Sequence, residues 1–483
     1  METLPPLPSD IWGRTPPEAR AYIETLIARV AALEAAVKEL TERLQQDSTN
    51  SSRPPSSDRP SKKGRQKRRK PSGRHPGGQP GHPGHTRELI LVEDVDRVVV
   101  LKPVSCGRCD HELSGTDPQP HRHQVIDIAP MRPVVHEYQV HRLNCEGCGA
   151  TTYGSWPQGV PTSMIGPRAQ AIVALCTGAY RLSKRTTHPV LAELFGLSLS
   201  VGTISKLESA TTALLEAPLE EARAYVQDQA SAHLDETGWR QGHKRAWLWV
   251  AATTWVTVFL VRLSRGSQVA KELLGERFSG ILVTDRWSAY NWYPTWRRQL
   301  CWAHLLRDIE AMIERGGPSQ AIGEALRAQV RQMFHWWHRV RDGTLARSSF
   351  RSYMTPVRRE VERLLEAGSC CEEAKTEGMC RDILTRHQAL WTFVHLEGIE
   401  PTNNNGERAI RSGVLWRKIS FGSHSAQGSR FVETMLSVVM TLKQQQRNVL
   451  DYLTVACQAA LCDEPAPSLL PQEQAAPSDQ AAA

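Results

Sequence analysis

Gly280-Ile281-Leu282-Val283-Thr284-Asp285-Arg286-Trp287-Ser288-Ala289-Tyr290 reads as a buried strand that ends on a carboxylate. Four apolar or β-favouring residues run into Asp285, and small and aromatic residues then turn the chain away. A strand end is a rigid place to hold a catalytic acid. A similar outline occurs about 50 residues earlier, in Ala230-Ser231-Ala232-His233-Leu234-Asp235-Glu236-Thr237. Much later, Thr402-Asn403-Asn404-Asn405-Gly406-Glu407-Arg408-Ala409-Ile410-Arg411 opens a helix. Asp, Asp and Glu in that order, on strand, strand and helix, point to an acidic metal site that acts on phosphodiesters.

The surrounding pattern agrees. Strand one carries Asp235, and Trp247–Ala252 and Val256–Leu263 follow as strands two and three of a meander. Ser267–Arg277 reads as a helix with Ser267 as its N-cap. Ile281–Thr284 is strand four, and Leu300–His304 is a fifth strand running into a helix. The order β-β-β-α-β-α is that of a ribonuclease H-like mixed sheet. There, strands one and four are neighbours, so their terminal carboxylates converge, and the glutamate comes from a late helix. Phosphodiester cleavage needs an activated water or 3′-hydroxyl and a stabilised leaving oxygen, which two Mg²⁺ ions supply together. Mg²⁺ takes hard oxygen ligands. Asp235 is expected to bridge both ions, with Asp285 and Glu407 each completing one. The bland alternative makes these acids helix caps or turn residues.

The chain has 483 residues and a net charge of +8, enough for several domains. Ten Lys/Arg and one Asp lie between Arg53 and Arg74, a local balance of +9, so the remainder is near neutral (8 − 9 = −1). Lys62, Lys63, Arg65, Lys67, Arg68, Arg69 and Lys70 form the centre of that tract, which reads as disordered and suited to DNA phosphates, or as a solvated basic linker. Before it, Ile23, Leu26, Val30, Leu33, Val37, Leu40 and Leu44 alternate steps of three and four, an a/d seam that predicts a homodimerising coiled coil, or one amphipathic helix on its own domain. Cys106-Gly107-Arg108-Cys109 and Cys145-Glu146-Gly147-Cys148 suit one closed, structural Zn²⁺ site, with strands expected at Gln124–Ile128 and Val134–Val140. The other cysteines suit a reducing, cytoplasmic compartment.

Further along, the Val190–Leu207 stretch has helix-turn-helix character, with Thr203 and Lys206 outward toward a DNA groove; an ordinary helical hairpin is the alternative. Cys301 and His304 hint at a metal but lack a second pair, so His304 reads as a residue near the active site or a structural histidine. Arg411 shares a helical face with Glu407 and is expected to pair with it or to clamp phosphate; Arg408 and Lys418 add cations for DNA. Trp336, Trp337 and Trp391 read as core residues, with stacking on flipped bases or hairpin ends as the alternative. No stretch reads as a secretory signal or a membrane span.

The heptad helix, the Ser/Pro then Lys/Arg tract, Gly77-Gly78-Gln79-Pro80-Gly81-His82, the paired C-x-x-C, Asp235-Glu236-Thr237, Thr284–Tyr290, Cys301–Arg307 and Asn405–Arg411 together resemble the IS66 family of insertion-sequence transposases. The resemblance covers about residues 20–455, and Gly406 stands where Ala is expected. It implies a DDE catalytic domain, Mg²⁺ dependence, binding to terminal inverted repeats and accessory proteins of the same element. The division expected is a coiled-coil helix (1–46), a basic linker (47–90), a zinc ribbon (91–163) and a helical DNA-binding-like domain (164–228). The catalytic sheet (229–310 and 400–460) follows, with a helical insertion (311–399) and a disordered tail (461–483). A non-catalytic DNA-binding regulator and a structure-selective nuclease are the alternative functions.

Overall fold

The computed structural model of the chain describes residues 9–46, 51–52, 87–161 and 163–471. The basic tract from Lys62 to Lys70 lies outside the described residues. The fold is mixed α/β, with one mixed sheet and many helices.

Two helices open the chain, α1 (Ser9–Arg14) and α2 (Pro17–Gln45). Pro17 sits at the first position of α2, where a missing N–H costs nothing. Along α2, Leu26, Val30, Leu33, Val37, Leu40 and Leu44 are all exposed, so the seam is unburied in the single chain. Strands β1 (Arg142–Asn144) and β2 (Thr151–Tyr153) then form a small antiparallel hairpin around Cys145–Cys148. The strands expected at Gln124–Ile128 and Val134–Val140 do not form. Their alternation marks β-capable sequence, but neither finds a ladder partner, and no residue between 87 and 161 is buried.

Helices α3 (Pro167–Ala174), α4 (Lys184–Phe195), α5 (Val201–Leu214) and α6 (Glu216–Gln227) follow. Gly196, with φ 63°, ends α4 in the left-handed conformation that glycine adopts freely. The Ser200 side chain then caps α5 by accepting the Thr203 N–H at 3.0 Å. Val173, Leu191, Ile204 and Leu207 form the small core of this unit.

The sheet holds β3 (Ser231–Gln241), β4 (Lys244–Ala252), β5 (Thr257–Arg262), β6 (Ile281–Thr284) and β7 (Arg298–Leu300), in the order β5-β4-β3-β6-β7. The first three are an antiparallel meander, and β6 and β7 join in parallel. Helix α7 (Ser267–Leu274) connects β5 to β6. Ser267 is not its N-cap: Gly266 holds that position, and Gly275, at φ 74°, stops the helix short of the expected Arg277. Asp235 is the fifth residue of β3, not its end, because β3 runs on past its parallel partner to pair with β4 alone.

Helices α8 (Trp302–Glu314), α9 (Gly317–Arg341), α10 (Arg347–Gly368), α11 (Ala374–Leu384) and α12 (Thr392–His395) pack around a second core containing Leu326, Met333, Trp337, Phe350 and Trp391. The chain returns through α13 (Asn404–Ser420), α14 (Ala426–Gln444) and α15 (Val449–Leu461). Helix α14 seals the edge of the sheet. The N–H groups of Thr257, Phe259 and Val261 on β5 donate to Thr441 Oγ1 (3.0 Å), Ser437 Oγ (2.9 Å) and Glu433 Oε1 (2.6 Å). Two strand residues advance about 6.6 Å and four helical residues about 6.0 Å, so the two spacings match. An edge that would otherwise template pairing is covered. The last described residues are packed, against the expectation of disorder from 461. Leu469 is fully buried, and Gln445 and Arg447 donate to the carbonyls of Leu469 and Ser468.

Candidate active site

Register brings the two aspartates together. On the parallel pair β3 and β6, Ser231 lies opposite Ile281, Ala232 opposite Leu282 and His233 opposite Val283. That offset is 281 − 231 = 50, and 285 − 235 is also 50. Asp285, just past β6, therefore sits level with Asp235, and neighbouring strands are only about 4.8 Å apart. Helix α13 packs across β3 and β4 and carries Glu407 in its first turn, where the helix dipole favours a carboxylate. Burial, then the charges of Glu236, Asp285 and Glu407, hold the Asp235 carboxyl well above the usual carboxylate range.

Each acid has its own support. Asp235 Oδ1 accepts one backbone N–H, from Glu236 at 2.9 Å. Asp285 Oδ1 accepts the Trp287 N–H at 2.9 Å, an Asx turn that swings the chain off the strand. Behind it, the fully buried Arg298 donates to Thr284 Oγ1 (3.1 Å) and to the Asp285 carbonyl (3.3 Å). Burial and the charge of Arg386 lower Arg298 to about 10, which leaves it cationic at neutral pH.

Glu407 faces the start of α8. His304 Nδ1 lies 3.3 Å and Arg307 Nη2 4.0 Å from its Oε1, and Cys301 Sγ lies 3.8 Å away. Burial, then the charge of Arg307, lowers the pKa of His304 and favours the neutral imidazole. Cys301, His304 and Glu407 could hold a metal ion, since their ligand atoms lie within 4.8 Å of one another. Burial pushes the Cys301 thiol up to about 11, however, and a neutral thiol is a poor ligand. The nitrogen and carboxylate oxygen are the more available donors.

Two residues that sequence reasoning missed define the site's walls. Glu236 is buried, with Oε1 accepting two bonds from Arg265 (3.0 and 2.7 Å) and Oε2 accepting from the Tyr290 hydroxyl. Both of its oxygens are taken, whereas Asp235, on the opposite face of the strand, accepts one backbone bond. Of the two adjacent acids, Asp235 is the one with oxygen to spare. Asn403, 1% exposed, ties the helix to the sheet. Its Nδ2 donates to the Leu234 carbonyl (2.7 Å), its Oδ1 meets His233 Nδ1 (3.0 Å), its N–H reaches Cys301 Sγ (3.2 Å) and its carbonyl accepts the Glu407 N–H (3.0 Å). A Cβ at Gly406 would stand 2.9 Å from that amide, so the glycine makes room for it.

The description "Transposase IS66 family" belongs to a family model that matches residues 162–430. The chain belongs to the IS66 transposase family. Its sheet and acids all fall inside the matched span, and divalent-metal use accords with a DDE-type transposase family. A second model, for a family of unknown function (DUF6444), matches residues 4–88. The chain is also 29% identical over 240 residues to "Uncharacterized protein y4qI" of Sinorhizobium fredii; the match takes in 44% of this chain and 43% of that protein. The chain thus spans less than half the length of this curated relative.

Other residues of the IS66-family chain are placed as follows. Arg411 is exposed and makes no ion pair with Glu407 among the described residues; Arg307, from α8, takes that place. Arg408 is exposed and donates to Asn405 Oδ1 at 3.0 Å, and Lys418 is exposed near the end of α13. Lys206 is exposed on α5, while the Thr203 hydroxyl pairs with Ser200 Oγ at 2.9 Å. The two C-x-x-C turns are built alike. Cys106 N–H donates to the His111 carbonyl and Asp110 N–H to the Cys106 carbonyl; Cys145, Ala150 and Gly149 repeat the pattern. Backbone N–H groups within each turn lower the thiol pKa of Cys106 and of Cys145. Among the described residues the sulfurs of the two turns do not gather into one compact ligand group. No described helix is long and apolar enough to cross a membrane.

The raised Asp235 carries a stability prediction. In the unfolded chain this carboxyl ionises near pH 4. Between that pH and its higher folded pKa, only the unfolded state gives up the proton, so stability falls as pH rises through the window. At neutral pH without divalent cation, Asp235→Asn should therefore melt higher than the parent, by roughly 2–4 °C for each kcal/mol relieved. Scanning both proteins in chelator and again in Mg²⁺ checks it. The parent should gain from Mg²⁺ and the variant should gain less; equal melting in both buffers would contradict it.

Proposed function

We propose that this chain is the DNA-cleaving and strand-joining transposase of an insertion sequence, acting on the element's terminal inverted repeats. The observation that carries this is the shared offset of 50 between β3 and β6, which supports Asp235 lying level with Asp285, with Glu407 near enough for its charge to reach Asp235. The sheet order, with a three-strand antiparallel meander and two parallel strands added beside its first strand, supports a ribonuclease H-like catalytic domain. Three hard-oxygen carboxylates, one of them pushed toward protonation by burial and by the neighbouring acids, fit a pair of Mg²⁺ ions. When bound, these would supply an activated water or 3′-hydroxyl and stabilise the leaving oxygen. Asp235, Asp285 and Glu407 would be the residues that hold them.

The chain's own groups do the positioning. Arg298 fixes the turn that presents Asp285. His304 and Arg307 stand beside Glu407, His304 also feels the Asp285 charge, and neutral His304 can take or give a proton at a water. Glu236, clamped by Arg265 and Tyr290, keeps the opposite face of β3 closed. One structural Zn²⁺ on Cys106, Cys109, Cys145 and Cys148 would have to draw the two separated turns together, and would then close the region before the helices into a zinc ribbon. Helices α4 and α5, with Thr203 and Lys206, and the Lys62–Lys70 tract would bind the ends, helped by Arg408 and Lys418. The exposed α2 seam would pair two copies. Accessory proteins of the element are further expected partners.

The test is purified full-length chain on DNA carrying the element's ends, with a target plasmid. Nicking at the ends and joined product are expected with Mg²⁺ and neither with chelator. Cleavage without joining would point to a nuclease, and neither activity in any divalent cation would sink the proposal.

A further inference from the structure

The geometry points to a binding subsite for an unpaired DNA base, at the far end of β3 from the nucleic acid's reaction point. It rests on the phosphodiester reading above. The turn between β3 and β4 and the C-terminal end of α13 enclose an open groove of about 1160 Å³. Arg240, His243 and Arg245 line it from the hairpin, and Arg417 and Lys418 from the helix, with no acidic residue among its walls. Arg240 and Arg245 are cross-strand partners, so their charges stand side by side. Such a lining selects a polyanion.

The aromatic in the groove selects which polyanion. Phe421 is 79% exposed, with φ 60°, a left-handed backbone that a bulky residue rarely adopts. It does not hang on a loose loop. Ser423 N–H donates to the Arg240 carbonyl (2.9 Å), Gly242 N–H donates to the Ser423 carbonyl (2.7 Å), and the buried Trp239 indole donates to Ser423 Oγ (3.2 Å). Arg417 donates to Thr237 Oγ1 (3.0 Å) and to the Gly238 carbonyl, so helix and strand are pinned on either side. An exposed ring held rigidly among cations is a stacking platform for a base whose phosphates the cations neutralise.

Position fits the chemistry. Gly238 is three residues beyond Asp235 on the same strand, about 10 Å away. At the duplex spacing of roughly 3.4 Å per nucleotide of one strand, the groove begins at most about three nucleotides from the acids, and fewer where the strand is unstacked and extended. A strand leaving the reacting phosphate along β3 and α13 would lay an unstacked terminal base on Phe421.

The experiment measures full-length protein in chelator binding two labelled duplexes, one blunt and one with a three-nucleotide single-stranded overhang. The parent should prefer the overhang by about 5- to 150-fold, the range of one base stacked on an aromatic. Phe421→Ala should bring that ratio to about one, and Phe421→Trp should keep it. Arg245→Ala with Lys418→Ala should weaken both duplexes equally and flatten the salt slope by about two. No preference in the parent, or an unchanged ratio in Phe421→Ala, overturns the subsite. Because no cleavage is read, this outcome is independent of the acids. Loss of the ratio alongside active acid variants would spare the groove and sink the catalytic reading instead.

Discussion

Asp235→Ala and Asp285→Ala should each lower end cleavage and joining by on the order of 10³-fold or more, while binding to the element's ends is retained. A group that meets charge developing in the transition state is worth about 10²–10³ when removed singly. A carboxylate that holds a divalent cation should exceed that, because losing it also loosens the ion. Asp235 should be the most sensitive, since it feels the charges of both the others. Glu407→Ala should fall in the same direction with a smaller loss, because His304 remains nearby as a donor. Binding should survive, because removing a negative charge from a DNA-facing surface does not repel phosphate. Single-turnover cleavage with parallel anisotropy on the same ends reads both quantities. Cleavage by Asp285→Ala within tenfold of the parent would end the assignment of that residue.

Why the acids were legible in the sequence, and their supports were not, is a matter of range. A strand that ends on a carboxylate is a local pattern, and so is a helix opened by Thr402 and a run of asparagines. The elements of the sheet could be placed from periodicity because β3, β4 and β5 alternate or run apolar over several residues. The equal spacing of 50 was also available, but its meaning depends on which strands pair, and pairing is not local. Arg411, one helical turn after Glu407, reads as its partner or as a phosphate clamp. Arg307, 100 residues earlier in the chain, lies there instead (407 − 307 = 100). No one-dimensional pattern selects one of Asn403, Asn404 and Asn405 as buried. The stripe Glu433, Ser437, Thr441 sets polar residues at helical spacing in the apolar middle of α14. It marks a helix that must satisfy something, and here that is the edge of β5.

Asn403→Leu should lose roughly 3 kcal/mol or more of stability and, where still folded, about 10²-fold in the rate of cleavage. Leucine is near in volume, so packing is nearly conserved, but the amide disappears. The Leu234 carbonyl loses its Asn403 donor and the His233 ring its Asn403 partner, both on a buried strand. Each buried polar group left unpaired costs about 1–3 kcal/mol. The kinetic loss has a separate origin. Asn403 ties the strand bearing Asp235 to the helix bearing Glu407, so its removal lets the acids drift apart by fractions of an ångström. A misplacement of about 1 Å can cost 10²-fold even when it begins away from the chemistry. The two effects separate with temperature. If the variant only unfolds more readily, cleavage measured well below its melting temperature should return to the parent's rate. If Asn403 positions the carboxylates, the rate stays low at every temperature where the fold is intact, end binding stays near the parent's, and the required Mg²⁺ concentration rises. That last shift is the diagnostic one, because a fold that is merely weaker does not need more metal once it is folded.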